Sequence, residues 1–268
     1  MVPQKVETHE ERGRNVIYIG IPVRDERHTI GPLLWRIREL LYGEQREFHL
    51  IVVDDASTDG TQDLLEKYTR VLPMTLVHNE ACRGYAATLE QLIREASAKS
   101  GYPKRDALVT MQADFSDPPE CVPEMLRRFE GGADLVSIAP LTAMSRPRRW
   151  TRIGASLVSR GIRVAEEPCD PYGSLRLYRL FTLCRSLAEQ GDEGPLLTQK
   201  GWAANAELLL RVLPHTRRGE VIDPPPERLR RYRDSRFRPG PQLRTLLRAR
   251  RDPALRAAAA RARDTAAS

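Results

Sequence analysis

Short apolar runs alternate with stretches of helical periodicity along the first half of the chain, and this rhythm sets the expected fold. Residues 16–21 (V-I-Y-I-G-I) form a β-rich run that stops at Pro22 and predicts a first strand. After the polar turn Pro22-Val23-Arg24-Asp25-Glu26, the apolar positions Ile30, Leu33, Leu34, Ile37, Leu40 and Leu41 predict a helix over about residues 29–42. Residues 48–53 (F-H-L-I-V-V) predict a second strand that runs straight into D-D-A-S-T-D-G-T, with a helix continuing to about Tyr68. A brief third strand is expected at 74–77 and a helix at 84–98. Ala107, Leu108, Val109 and Met111 predict a buried fourth strand, Pro118–Pro119 opens a helix over 119–129, and a fifth strand is expected at 134–138.

Strands alternating with helices at this spacing predict an α/β fold with a mostly parallel sheet. Such sheets place ligand-contacting groups at the carboxyl ends of their strands. Two Asp-rich turns sit there, at Asp54–Asp55 and at Asp114, which marks a nucleotide site on that edge. Asp114 suits a divalent cation held against a diphosphate, because hard cations take oxygen ligands and a charged substrate completes the shell. A strand-end Asp that caps the next helix is the competing reading, and for Asp59, ahead of Gly60 and Thr61, capping is preferred. No GxGxxG follows the first strand and no GxxxxGK[ST] occurs anywhere. Hydride-transfer Rossmann and P-loop readings are therefore set aside, and the nucleotide is left to carboxylates and a metal.

A chain of 268 residues, 41% hydrophobic, suits one large domain with a substantial core. The net charge of +7 is uneven: acidic residues are well represented before Asp134, and arginine dominates from Arg146 onward. An anionic partner for the second half follows: phosphate, membrane surface or nucleic acid. The four cysteines form no CxxC pair and the five histidines no HExxH, so reduced thiols are expected and zinc spacing is absent. No apolar run approaches the roughly 20 residues that span a bilayer. Residues 1–14 read as a disordered leader without a signal-peptide core. Residues 241–268 form a basic tail with Leu243, Leu246, Leu247 and Leu255 at partly helical spacing, either lying on an anionic leaflet or solvated. The expectation is a cytoplasmic protein, free or peripheral on the inner membrane face. The absence of a nucleic-acid module or an aromatic stacking array argues against a nucleic-acid partner.

Three signatures, in order and spacing, resemble those of family 2 glycosyltransferases with the GT-A fold. P-V-R-D-E (Pro22 to Glu26) is similar to P-x-x-N-E, V-V-D-D-A-S-T-D-G-T (Val52 to Thr61) is a close match, and Q-A-D (Gln112 to Asp114) stands where the family has D-x-D. Further segments are similar to the polyprenyl- or dolichyl-phosphate mannose synthase branch: N-x-x-x-R-G from Asn79, Q-A-D-F-S-D-P-P-E from Gln112, and R-R-W-T-R-I-G-A-S-L-V-S-R from Arg148. C-D-P-Y-G-S-L-R-L-Y from Cys169, G-W-A-A-N-A-E-L-L-L-R from Gly201 and R-Y-R-D-S-R-F from Arg231 continue the match. The resemblance implies one domain over 15–240, with a nucleotide-binding part to about 140 and an acceptor part beyond it.

It also implies a reaction. A hexose, mannose or glucose, would pass from a nucleotide-diphosphate sugar, with GDP-mannose favoured by the branch, to a polyprenyl or dolichyl phosphate. Displacement would be direct and inverting, with Mg²⁺ or Mn²⁺ as cofactor. A lipid monophosphate is already anionic and needs no general base, whereas a sugar hydroxyl does. The E-D and Q-x-x-R-W signatures of processive members are absent, which fits the phosphate acceptor better.

Carried over residue by residue, the nucleotide sugar falls to Pro22, Arg24, Glu26, Asp54, Asp55, Gly84, Gln112, Ala113 and Asp114. Glu26, Asp54 and Asp55 would meet base and ribose, Asp114 would hold the metal, and Gln112 would be a weak second ligand. Arg148, Arg149, Arg152 and Arg160 would grip the acceptor phosphate and leaving diphosphate, since guanidinium forks suit phosphate oxygens. Arg231, Arg233, Ser235 and Arg236 would close over the phosphates. Asp114, Asp170 and Arg152 form the expected catalytic set, with Asp170 orienting the donor sugar or an arginine, or else serving as a turn residue before Pro171. Three departures stand out: Gln112 replaces a carboxylate, S-I-A-P (Ser137 to Pro140) lacks the branch's arginine, for which Arg146 is the substitute, and Gly173-Ser174-Leu175 replaces S-G-F. Two other readings stay open: the same fold acting on a soluble glycan or hydroxylated metabolite, and a non-catalytic nucleotide-sugar-binding homologue that lost the first metal Asp.

Overall fold

Strand β1 (Ile17–Val23) is buried along its whole length, because it pairs in parallel with β2 (Phe48–Asp54) on one side and β4 (Ala107–Thr110) on the other. The computed structural model describes residues 15–43, 47–139, 169–191 and 194–224. The first strand continues past Ile21 through Pro22, where the sequence reading ended it. Met111 N–H donates to the Gly20 carbonyl and Asp55 N–H to the Val23 carbonyl. Pro22 therefore turns its hydrogen-less nitrogen to the β4 side, beyond the last paired residues Gly20 and Thr110, and no ladder bond is lost.

Among the described residues the sheet has seven strands in the order β3–β2–β1–β4–β6–β5–β7, with β3 at Met74–His78, β5 at Leu135–Ile138, β6 at Arg176–Arg179 and β7 at Gly219–Ile222. Of these, only β6 runs antiparallel to its neighbours, β4 and β5. A strand from beyond residue 140 thus lies between two strands that precede it, so both parts of the chain share one sheet. Helices α1 (Ile30–Gly43), α2 (Thr61–Tyr68) and α4 (Val122–Glu130) cover one face, over Ile19, Ile21, Leu50, Val52 and Val109. Helices α3 (Tyr85–Lys99), α5 (Leu180–Gln190) and α6 (Ala203–Val212) cover the other, over Tyr18, Ile51, Val53, Leu108 and Tyr178. Alternate residues of each strand feed opposite faces, as the pleat requires.

Strand β6 owes its place to two arginines. Arg176 is 1% exposed and gives its Nη1 to the Asn205 carbonyl at 2.9 Å and its Nη2 to the Asp170 carbonyl at 2.6 Å. Arg179 reaches Asp134 at 2.6 Å and the carbonyls of Lys104 and Ala133. All four cysteines are free, and among the described residues no helix is long and apolar enough to cross a membrane. The expected leader, the basic tail, Arg146, Arg148, Arg149, Arg152, Arg160, Arg231, Arg233, Ser235 and Arg236 lie outside the described residues.

Candidate active site

The carboxyl ends of β1 and β2 are level, since Val23 pairs with Asp54, whereas β4 ends beside Gly20, where the Met111 N–H meets the Gly20 carbonyl and the chain runs on toward the same edge. The loops leaving β1 and β2 are laced together there. Asp25 N–H donates to Ser57 Oγ at 2.8 Å, Thr58 N–H to Asp25 Oδ1 at 2.8 Å, and Glu26 N–H to Thr61 Oγ1 at 3.0 Å. Both loops need a left-handed residue, Asp25 at φ 51° and Ala56 at φ 57°, to make their turns. Glu26 sits at the start of α1 and accepts Thr29 Oγ1 at 2.9 Å. Asp59 accepts the Thr61 N–H at 3.0 Å and the Arg27 N–H at 3.1 Å, so its carboxylate ties the two loops at the foot of α2, but the N-cap position itself is Gly60, which makes no side-chain cap bond.

The structure separates the Asp54–Asp55 pair. Asp54 is fully buried and accepts Ser57 Oγ–H and, at 2.9 Å, His78 Nδ1. Asp55 projects the other way and accepts the backbone N–H groups of Arg83 at 2.7 Å and Gly84 at 2.9 Å, with Cys82 Sγ and Asn79 Nδ2 more distant at 3.3 and 3.4 Å. Burial opposes the charge on Asp55, but these bonds outweigh it and hold the group below the usual carboxylate range. Gly84 supplies its N–H at φ +86°, a backbone conformation that favours glycine. Arg24 lays its guanidinium against Cys82 Sγ at the rim, with 50% of its side chain exposed.

The Q-A-D triplet turns out of β4 toward this edge. Ala113 is 3% exposed and its methyl packs in the core, so only its backbone is left to meet a donor. Gln112 and Asp114 are half-buried. Asp114 Oδ1 accepts the Ser116 N–H at 3.0 Å, and Phe115 takes φ 58° to close that turn. The Ser116 hydroxyl is buried without a hydrogen-bond partner among the described residues. A carboxylate and an amide oxygen two residues apart are the oxygen donors that a hard cation takes. No three His, Cys, Asp or Glu side chains converge on a ready-made metal cage among the described residues, so substrate oxygens would have to complete the shell.

Two groups in the site went unread in the sequence. Asp117, spelled out in F-S-D-P-P-E but given no role there, points Oδ2 at the Gln112 N–H at 2.8 Å and at Ser174 Oγ–H at 2.6 Å. Burial pushes its carboxyl up to about 6 against those bonds, and the charges of Asp114 and Asp170 push the same way. Tyr85, at the start of α3, donates to Asn205 Oδ1 at 2.8 Å and stacks on Trp202 at 6.4 Å. Burial lifts its phenol above the ordinary value. Asn205 in turn donates to the Tyr172 carbonyl at 3.1 Å. No local pattern flags the Asp117–Ser174 or the Tyr85–Asn205 contact, because each joins segments far apart in the chain.

Asp170 lies in the same loop. Its Oδ1 accepts the Tyr172 N–H at 3.1 Å and its carbonyl the Gly173 N–H at 3.1 Å, a turn built on its own side chain. Ser174 is buried, and its carbonyl accepts Thr110 Oγ1–H at 2.7 Å. Gly173-Ser174-Leu175 thus belongs to a turn that docks on the end of β4.

A family model described as Glycosyl transferase family 2 matches residues 18–185. The dolichol-phosphate mannosyltransferase of Pyrococcus furiosus is 26% identical over 171 residues, 60% of this chain and 46% of that protein. The undecaprenyl-phosphate 4-deoxy-4-formamido-L-arabinose transferase of Pseudomonas syringae pv. syringae is 26% identical over 200 residues, 72% of this chain and 57% of that protein. The chain thus spans about half the length of the curated relatives it matches. Among solved structures, the glucosyl-3-phosphoglycerate synthase of Mycobacterium tuberculosis in complex with Mn²⁺, uridine-diphosphate-glucose and phosphoglyceric acid is similar in fold. It superposes with a TM-score of 0.60 at 20% identity, over 94% of this chain and 86% of that one. With its Asp-rich loops gathered on one sheet edge and the family model covering more than half of its length, the chain belongs to glycosyl transferase family 2 and has the GT-A fold.

Proposed function

We propose that this protein moves a hexose from a nucleotide-diphosphate sugar to a polyprenyl phosphate by direct displacement, with inversion at the anomeric carbon. One observation carries the reading: β2 and β4, flanking β1, bring an ionised Asp55 and the Asp114 loop to the same edge of the sheet. The names of the two curated relatives support a polyprenyl phosphate over a soluble hydroxyl acceptor.

In this mechanism Glu26 and Asp55 accept hydrogen bonds from ribose hydroxyls and ring N–H groups, and Arg24 meets the donor phosphates from the rim. Asp114 and Gln112 would hold Mg²⁺ or Mn²⁺, which would offset the charge growing on the departing diphosphate. The acceptor phosphate is the nucleophile and needs no proton removed. Asp170 orients the donor sugar, and Arg148, Arg149, Arg152, Arg160 and the Arg231–Arg236 segment hold the phosphates, adding to the electrostatic stabilisation of the transition state. An amide at 112 in place of a carboxylate weakens cation affinity without removing the oxygen donor. Basic charge in the tail brings the protein to the anionic, cytoplasmic face of a membrane, where the acceptor lies.

The test is a panel of nucleotide sugars with a short prenyl phosphate, assayed with Mg²⁺, Mn²⁺ or EDTA. Metal-dependent transfer from one donor, lost in Asp114→Ala, is the expected result. Donor hydrolysis without transfer would exclude the lipid acceptor, and nucleotide binding without turnover of any donor would exclude catalysis.

A further inference from the structure

We infer that Asp117 is a positioning residue that locks the Q-A-D loop to the Asp170 turn, so that Asp114 and Asp170 meet the donor sugar at one fixed separation. The inference rests on the reading of this edge as the glycosyl-transfer site.

One carboxylate oxygen, Asp117 Oδ2, receives a bond from each of two loops. On one side it takes the backbone N–H of Gln112 at 2.8 Å, which sets the height at which the triplet leaves β4. On the other it takes Ser174 Oγ–H at 2.6 Å, four residues after Asp170. Thr110 ties the same Ser174 back to the strand end through its carbonyl at 2.7 Å. The Asp170 end of that turn is anchored separately, by Arg176 Nη2 on the Asp170 carbonyl at 2.6 Å and by Asn205 on the Tyr172 carbonyl at 3.1 Å. Without Asp117, the turn keeps its distal anchors but loses the Ser174 bond that ties it to the metal-motif loop.

The chemistry of the residue fits this task. A charged acceptor makes shorter and stronger bonds than a neutral amide oxygen, and both donors here converge on a single oxygen. The carboxylate also keeps a second negative charge on a loop whose first motif position is Gln112.

The experiment uses the full chain with Asp117→Asn, Ser174→Ala, Ser174→Thr and the Asp117→Asn/Ser174→Ala pair. Displacements of about 1 Å at a reacting centre cost on the order of 100-fold in rate. A fall in kcat of roughly 10- to 100-fold is therefore expected for Asp117→Asn and Ser174→Ala, with donor KM changed less than about twofold. Ser174→Thr keeps the hydroxyl and should keep kcat. The pair should cost no more than Asp117→Asn alone, because both changes cut one connection. Independently of turnover, hydrogen exchange at the Gln112 amide and across 170–175 should quicken together in Asp117→Asn and Ser174→Ala. Additive losses in the pair, an unchanged kcat, or exchange that quickens at only one of the two loops would overturn the lock. Should Asp117→Asn fail to fold, the contrast between Ser174→Ala and Ser174→Thr decides. A wild-type chain that transfers no sugar defeats the functional reading, while the exchange measurement still judges the lock.

Discussion

The Asp55 carboxylate bridges the end of β2 and the start of α3, receiving the backbone N–H of Gly84 at 2.9 Å while that of Arg83 lies at 2.7 Å. The residue that the nucleotide reading places against the donor is thus also the clasp of the Asn79–Gly84 loop. Under that reading one side chain would hold the loop and the ligand, so variants there are measured for stability and for binding.

Asp55→Ala strands two partly buried backbone donors, each worth about 1 kcal/mol, the low end for an unpaired group. Urea denaturation should show a loss of about 2 kcal/mol at neutral pH, and nucleotide-diphosphate binding by calorimetry should vanish. Asp55→Asn retains one acceptor oxygen and should lose less stability while still weakening binding. Wild-type affinity in either variant would remove Asp55 from the nucleotide site.

Gln112→Asp restores a carboxylate beside Asp114. The added charge should lower the Mn²⁺ concentration for half-maximal transfer by about tenfold, a difference of about 1.4 kcal/mol, and Asp114→Ala in that background should abolish the gain. If Gln112→Asp leaves the metal dependence unchanged, residue 112 is not a ligand.

Gly84→Ala separates backbone strain from crowding, because an added Cβ would have no atom within 4 Å, yet φ is +86°. The expected loss is about 1–2 kcal/mol from forcing a left-handed conformation, seen as a melting point lower by several degrees. An unchanged melting point would mean that the loop relaxes at no cost.

The alternation of strands and helices was legible because each strand up to β5 carries its own apolar run, and Ile30 to Leu41 or Val122 to Phe129 carry their own periodicity. Strand β6 was not. Its R-L-Y-R segment reads as polar, and the reason it is buried, the Asp134 carboxylate and the Asp170 and Asn205 carbonyls, lies between 6 and 45 residues away. The candidate site divides the same way. Asp55 and Asp114 stood out as carboxylates at strand ends, whereas the partners that give Asp54, Asp55 and Asp117 their states come from strand register and loop docking. His78 faces Asp54 only because Asp54 pairs with His78 across β2 and β3. Similarly, Ser174 faces Asp117 only once β6 has been laid beside β4.

Away from this edge, His49 on β2 predicts a pH dependence of stability. Its Nε2 lies 2.8 Å from Thr75 Oγ1 on β3, and its ring meets Tyr18 edge-on at 6.2 Å. Burial holds its pKa below the ordinary 6.5, and the nearby Lys99 adds to the effect. The native state therefore favours the neutral ring more than the unfolded chain does. The stability that follows is fully present above about pH 6.5 and is lost as the pH falls from there through the lower folded value. His49→Gln keeps a hydrogen-bonding group without a proton to gain, so its stability should fall less steeply on the acid side of pH 6.5. At pH 8 the same variant should be weaker than wild type by about 1 kcal/mol, from the lost aromatic contact. Parallel melting curves for the two proteins between pH 5 and pH 8 would show that the imidazole does not titrate with folding.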